Sequence, residues 1–421
     1  MNRRYFLTSA FAGMALRRSA AAANDKVTLA IMGVRGQGRG LTDRFASLPD
    51  TEIAYLCDID ENVFARAAKI VEERKGRPAK RISDIRRALD DKDVDAVVIA
   101  TPDHWHAPAT ILACQAGKDV YVEKPASHNL REGRLMVEAA RRHGRVVQLG
   151  TQSRSRPSTQ RGIEYVRSGK LGQVLLAKAW NCQLRENIGR KPDGPVPAGV
   201  DYDTWVGPAS WLAFNENRFH YKWHWNWNFG TGDMGNDGVH QLDIARWALG
   251  VETPNEVAGS ARKLYFQDDQ QTPDTMNITF NYPGKTLVFE MRIWTPYGLE
   301  DQDNGVGVYG TEGMAHIGRW NGRWGFKVFD SRGKMVLYDE DNQDDTHARN
   351  FLDCVRSRRR PNADIEIGHA SSSLCHLGNI VARTGRTLKF DPATETIAGD
   401  AEAGTLLGRR YRQHWATPKV S

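Results

Sequence analysis

Between Lys26 and Gly150 the chain alternates short, uninterrupted apolar runs with stretches whose apolar residues recur at helical spacing. "KVTLAIMG", "TEIAYLCD", "VDAVVIATP", "DVYVEKP" and "RVVQLG" have the length and Val/Ile content of buried strands. Leu41 to Leu48, residues 61–74, "APATILACQAG" and "LREGRLMVEAARRHG" carry the helical period, the last two stopping at Gly117 and Gly144. Strands that are apolar all round need cover on both faces, and the intervening helices supply it. The pattern predicts a parallel, doubly covered sheet over residues 26–150.

Beyond residue 150 the rhythm changes. "VLLAKAWNCQLR", "MNITFNYPG", "TLVFEMRIW", "NGVGVYGTEG" and "GFKVFDSRGKMVLYD" alternate, or carry β-branched and aromatic residues between glycine-rich turns. That is the pattern of an antiparallel sheet with one covered face. Residues 193–209 are rich in Pro and Gly without periodicity, which predicts a surface loop over the cleft. Residues 345–384 are helical again. The expected organisation is a sheet unit over 26–150, a second over 151–345, and a C-terminal helical segment and tail over 346–421.

The first strand runs into "GVRGQGRG", with glycines at 33, 36, 38 and 40. Glycines between a strand and a helix let backbone N–H groups approach a pyrophosphate at the helix N-terminus. Arg35 stands where a strict GxGxxG would place its second glycine, so the turn reads as expanded by one residue. Asp58 ends the next strand, where a carboxylate accepts hydrogen bonds from ribose hydroxyls and repels a 2′-phosphate. Gly33, Arg35, Gly36, Gln37, Gly38, Arg39 and Asp58 are therefore candidate cofactor-binding residues. NAD is favoured; NADP stays open because Arg35 or Arg39 can meet a phosphate.

Composition narrows the partners. The formal charge of +7 suggests nucleic acid until the N-terminus is set aside: four of the 58 basic residues, and no acidic one, lie in residues 1–23, leaving 54 against 51. No basic stripe remains, and nucleic acid is not expected. "MNRRYFLTSA" carries a twin arginine, Arg3-Arg4, before an apolar run too short to span a bilayer. It is similar to a twin-arginine export signal, with cleavage expected near Ala21–Ala23, no stable membrane insertion, and a periplasmic or otherwise exported product. The five cysteines are scattered, with no CxxC pair, and spell neither a disulfide framework nor a zinc site.

"ATPDHWHAPAT" and "DVYVEKPASHNL" resemble the Gfo/Idh/MocA family of sugar and polyol oxidoreductases. The tripeptide Glu123-Lys124-Pro125 at a strand end is the most specific match, and Thr101-Pro102 followed by His106 is the second. "GTQSRSRP" at 150–157 and "GHASSSLCHLGNIVARTGRTLKFDP" at 368–392 resemble exported branches, which include glucose–fructose oxidoreductases and NAD-dependent glycosidases. The resemblance spans about residues 26–415. It implies a Rossmann domain, then an open, mostly antiparallel sheet for substrate binding and subunit contacts, and a C-terminal segment returning to the first domain. It also implies a tightly bound cofactor carried out with the folded protein and recycled in place. Thr101, Pro102, His106, Glu123, Lys124 and Gln152 join the cofactor-binding set by this route.

Oxidising a secondary alcohol requires a base for the hydroxyl proton while the nicotinamide takes the hydride. Lys124, at the carboxyl edge of the sheet, matches the family's proton shuttle; an ammonium beside a cationic nicotinamide loses its proton more readily. The rest of the site is expected in "KWHWNWNFGTGDMGNDGVHQLDIARW", residues 222–247, where a helix is expected from Gly235 to Leu249 with Asp233 near its start. Asn236, His240 and Asp243 fall at i, i+4 and i+7. His240 matches the family's catalytic histidine, its ordinary titration suits proton transfer at neutral pH, and Asp243 can orient it. Many relatives carry Asp where Asn236 stands, and Asn cannot take a proton; Asp237 or Asp233 can compensate.

Trp223, Trp225 and Trp227 alternate at strand spacing, as a stacking wall for a sugar ring or as sheet-edge packing, with His224 opposite. Arg154 and Asp233 complete the expected substrate contacts. Metal ligation by His220, His224, Asp233 or His240 lacks a compact ligand spacing, so no metal is expected. The leading function is hydride transfer between a carbohydrate or polyol and bound NAD(P). Net glycoside hydrolysis through transient oxidation is the alternative, and a non-catalytic sugar-binding protein is the third. A homodimer or homotetramer is expected because an exposed sheet face needs a partner.

Overall fold

A computed structural model describes residues 26–320, 322–341 and 346–419. The candidate export signal lies outside the described residues.

The apolar runs of the first half form six parallel strands: β1 (Val27–Met32), β2 (Thr51–Cys57), β3 (Lys80–Ile82), β4 (Ala96–Ile99), β5 (Asp119–Val122) and β6 (Val147–Leu149), ordered β3-β2-β1-β4-β5-β6. Helices α1 (Gly36–Ser47), α2 (Phe64–Lys75), α3 (Asp103–Gln115) and α4 (Leu130–Arg142) connect them. β4 is buried at every residue, as a central strand covered on both faces must be. The strand order reverses between β1 and β4, and a parallel sheet opens its ligand crevice at the carboxyl ends of such a pair. Met32 pairs with Ile99 there. α1 begins five residues before the first residue of the apolar period, on the glycine turn itself.

The second sheet has ten strands. They are β7 (Val174–Cys182), β8 (Glu256–Arg262), β9 (Thr275–Tyr282), β10 (Lys285–Arg292), β11 (Asn304–Gly310), β12 (Gly313–Trp320), β13 (Arg323–Asp330), β14 (Met335–Asp341), β15 (Leu388–Asp391) and β16 (Thr396–Ala398). Their order is β14-β13-β12-β11-β7-β10-β9-β8-β15-β16, antiparallel throughout except for β7 beside β10. The fold is thus a Rossmann-type parallel sheet followed by a mostly antiparallel sheet.

Three features depart from the sequence pattern. β15 and β16 extend the second sheet from within the stretch read as a helical segment and tail. After helix α5 (Val239–Leu249), the helical stretch is two helices, α6 (Thr346–Ser357) and α7 (Ile365–Thr384), broken where Arg358 takes a left-handed φ of 57° ahead of Pro361. The loop over 193–209 contains a short helix, Tyr202–Val206, whose Tyr202 and Trp205 belong to an aromatic cluster with Phe214, Phe219 and Phe229. Aromatic side chains that size are cheaper to bury together than to leave in a mobile loop.

Candidate active site

The crevice at the ends of β1 and β4 opens into a cavity of about 610 Å³. Its floor is the glycine turn. Gly33 has φ 82°, and a Cβ on it would lie 2.6 Å from the carbonyl oxygen of Ala100. A Cβ on Gly38 would lie 1.7 Å from the carbonyl oxygen of Gly33. Only glycine fits at either position, so the expanded turn keeps the close backbone approach that a strict motif provides. Gly36 opens α1, and a Cβ there would meet nothing within 4 Å. Asp58 Oδ2 accepts a 2.8 Å hydrogen bond from Val34 N–H, and Oδ1 accepts one from Asp60 N–H at 3.1 Å. Burial pushes the Asp58 pKa up and these donors pull it back. A helix N-terminus, a bare turn and a carboxylate at the end of β2 suit the pyrophosphate and ribose of NAD.

Gly33, Arg35, Gly36, Gln37, Asp58, Thr101, Pro102, His106, Glu123, Lys124 and Gln152 all border this cavity. Gly38 and Arg39 do not; Gly38 faces the turn, where its missing side chain makes the room. His106 is a wall rather than a ligand. Its Nδ1 lies 2.6 Å from Pro125 O and its Nε2 2.9 Å from Thr101 O, so the ring ties the loop after β4 to the loop after β5. Glu123 Oε1 accepts from Gln37 Nε2 at 2.9 Å and ties α1 to the end of β5.

Lys124, Asn236 and His240 border the same cavity. The chain reaches them through a π-type turn, Met234–Gly238, that precedes helix α5 (Val239–Leu249) instead of one continuous helix. Lys124 Nζ donates to Asn236 O at 2.5 Å and to Asn236 Oδ1 at 3.3 Å. Asn236 Nδ2 donates to Asp233 Oδ1 at 2.9 Å, which Arg185 Nη2 also meets at 2.9 Å. Asp233 is fully buried and does not border the cavity. It holds Asn236 rather than touching substrate. Asp237 is turned away too, toward Gln183 and Arg185 (3.2 Å).

Several expected contacts are corrected. Arg154 is buried, its Nε 2.8 Å from Asp243 Oδ2, with Trp247 under its guanidinium at 4.8 Å. Asp243 also accepts from Ser371 Oγ. Arg154 is therefore a core ion pair and not a substrate contact, and Asp243 is committed to Arg154 rather than to His240. The tryptophan run is a 3₁₀ turn, His220–Trp225, not a strand. Trp223 and His224 border the cavity, stacked at 3.6 Å, while Trp225 is buried elsewhere, so no three-tryptophan wall exists. Among the described residues, no three His, Cys, Asp or Glu side chains cluster as metal ligands would. His240 does not keep its ordinary titration. Enclosure, then the nearby Lys124 charge, pushes its pKa down to about 3.

Other cavity residues carry no local sequence motif. Trp205, Phe219, His220 and Tyr221 reach it from the loop and the 3₁₀ turn. Trp415 reaches it from the C-terminal tail, beside Asp84 and Ile85, with the Arg86 guanidinium 4.3 Å from its ring.

The crevice at a strand-order reversal, the bare glycine turn and the acid of β2 define a dinucleotide-binding oxidoreductase. The chain belongs to the Gfo/Idh/MocA oxidoreductase family: residues 27–151 match its NAD-binding Rossmann fold and 179–417 its C-terminal alpha/beta domain. It is an NAD-binding oxidoreductase, and its relatives include inositol and levoglucosan dehydrogenases. Inositol 2-dehydrogenase 2 of Saccharopolyspora erythraea is 29% identical over 66% of this chain and 71% of its own length. A glycosyl hydrolase family 109 protein of the same organism is 34% identical over 39% of this chain and 37% of its own length. The aldose-aldose oxidoreductase of Caulobacter crescentus, solved with glycerol, shares the fold at a TM-score of 0.65 and 22% identity, over 87% of this chain and all 100% of that one.

Proposed function

We propose that the protein oxidises a secondary alcohol of a sugar, glycoside or polyol at the carbinol position between Lys124 and His240. One observation carries the reading: the amine of Lys124, the amide of Asn236 and the imidazole of His240 border the same cavity as the glycine turn and Asp58. Bound NAD supplies the hydride acceptor. Lys124 takes the hydroxyl proton, and the Asn236 carbonyl groups fix the direction of its Nζ. His240, neutral at physiological pH, holds the hydroxyl by a hydrogen bond without charging. Asn236 cannot relay a proton, so the proton leaves by way of Lys124. Trp223 and His224 offer a stacked surface to the ring's C–H face.

The test is to denature the purified protein and identify the released nucleotide and its redox state by mass. The expected result is NAD or NADH near one per chain, and a change of redox state on adding a substrate sugar. Protein that is free of nucleotide and inactive until NAD is added counts against tight retention.

The similarity to glycosyl hydrolase family 109 proteins favours a second reading, net glycoside hydrolysis. Oxidation to a ketone acidifies the C–H beside it. A base would remove that proton, the aglycone would leave with its bonding electrons and water would add to the resulting alkene, while bound nicotinamide would supply the hydride that restores the alcohol. Nitrophenol released from a nitrophenyl glycoside without net nicotinamide reduction selects this reading.

Export is supported by Arg3-Arg4 and the apolar run after it; an N-terminus beginning after Ala21–Ala23 in periplasmic material tests it. Homo-oligomerisation is supported by apolar residues left exposed on β7 and on the edge strand β14, Leu175, Met335, Val336 and Leu337. Light scattering of the purified protein reads it.

A further inference from the structure

A second cavity, of about 290 Å³, adjoins the first and shares His240 and Gln152 with it. The ten-stranded sheet and its strand ends supply Gln183, Asp303, Asn304, Arg319 and Trp324 to its lining, and Arg156, Asp237 and Gln241 come from outside the sheet. We infer that this cavity is the seat of a second sugar ring, so that the substrate is a glycoside of at least two rings rather than a monosaccharide. The inference rests on the reading of Lys124 and His240 as the reacting centre.

Three observations support it. First, His240 borders both cavities, so a ligand that presents its carbinol to His240 from the cofactor side has its next ring within reach of the second cavity. Second, the lining is that of a carbohydrate subsite. Amides, carboxylates and guanidinium groups supply both donors and acceptors, and Trp324 adds one aromatic ring, with the Arg156 guanidinium 5.2 Å over it. Asp237 and Asp303 share the lining with Arg156 and Arg319, a balance that suits a neutral polyol better than an anion.

Third, Gln241 follows His240 on α5, is only 3% exposed and borders the second cavity. Its Nε2 donates to Asn304 Oδ1 at 3.3 Å, while its Oε1 has no hydrogen-bond partner among the described residues. Buried amide oxygens are almost always satisfied, because burying one without a donor is costly. The Oε1 atom is itself enclosed, so a ring hydroxyl supplies the missing donor once the Gln241 amide turns toward the cavity.

The experiment is saturation-transfer difference NMR on Lys124→Ala protein with its cofactor retained, using cellobiose, lactose, maltose, glucose and galactose as probes. At least one disaccharide should receive saturation on both rings and bind about tenfold more tightly than its component monosaccharide, the scale of one added aromatic contact. Trp324→Ala should remove the signals of one ring preferentially. Asn304→Ala, at the start of a strand, gives the same readout should that variant not fold. Saturation confined to one ring in every disaccharide, or of no probe at all, overturns the inference. Turnover is a separate arm with unmodified protein. Failure of every sugar to change the nicotinamide absorbance counts against the oxidoreductase reading, whereas one-ring saturation counts only against the second subsite.

Discussion

Lys124 Nζ lies 2.5 Å from the main-chain oxygen of Asn236 and 3.3 Å from its side-chain oxygen, so one residue of the π-type turn fixes the amine from two sides. A neutral amide therefore stands beside the amine, and it is held there by Asp233 and Arg185 behind it.

Replacing that amide with a carboxylate tests the role of Lys124. In Asn236→Asp a negative charge within hydrogen-bond reach favours the ammonium, so the base form is lost to higher pH. The rising limb of kcat/KM against pH should move up by about 1 unit, and activity at neutral pH should fall about tenfold. Lys124→Ala should lose about 10²–10⁴-fold. A pH profile unmoved by Asn236→Asp contradicts Lys124 as the base.

His240 gives an expectation in the acid range. With its pKa held down at about 3, it stays neutral across the working range and adds no limb near neutrality. A limb at pH 6–7 that disappears in His240→Asn would reverse this assignment. The same shift affects stability. Its folded-state value lies below the unfolded one of about 6.5, so the contribution is complete above that pH and is lost as pH falls toward about 3. The loss is up to about 1.4 kcal/mol per pH unit. His240→Asn should accordingly show a shallower decline of Tm between pH 6.5 and 4.

Trp415 tests whether the tail closes the adenosine end of the cavity. Its ring packs 5.9 Å from Trp105 and borders the cavity beside Asp84 and Ile85. Trp415→Ala should retain less nucleotide through gel filtration, with Kd raised about tenfold. Equal nucleotide content, measured by mass after denaturation, shows that the tail does not hold it.

Arg154 and Asp243 form an ion pair with side chains 5% and 1% exposed. Removing one partner strands a buried charge, so Arg154→Met should destabilise the fold by about 3–5 kcal/mol in urea unfolding. A raised KM with unchanged stability would instead make Arg154 a substrate contact.

Much of the nucleotide end was legible in the sequence. Gly33, Gly36 and Asp58 are close neighbours of strand ends, and strand ends are marked by where apolar runs stop. The tryptophan run misled because alternation over three residues fits a strand, while Gly230, whose Cβ would lie 2.7 Å from His224 Cα and O, lets the chain fold back into a turn. Arg154 misled for a different reason. A charged residue in a loop after a strand is usually exposed, and only Asp243, 89 positions away, makes its burial tolerable.

Sequence by itself determined the doubly covered parallel sheet, the glycine turn and the residue types of the reacting centre, because each depends on neighbours within a few positions. Tertiary structure decided which side chains face the cavity. It turned Asp233, Asp243 and Arg154 into supports, brought Trp415 from the tail and set a second cavity against His240. Those outcomes depend on partners tens to hundreds of residues apart, whose meeting is fixed by packing and by the cost of leaving buried charge unpaired.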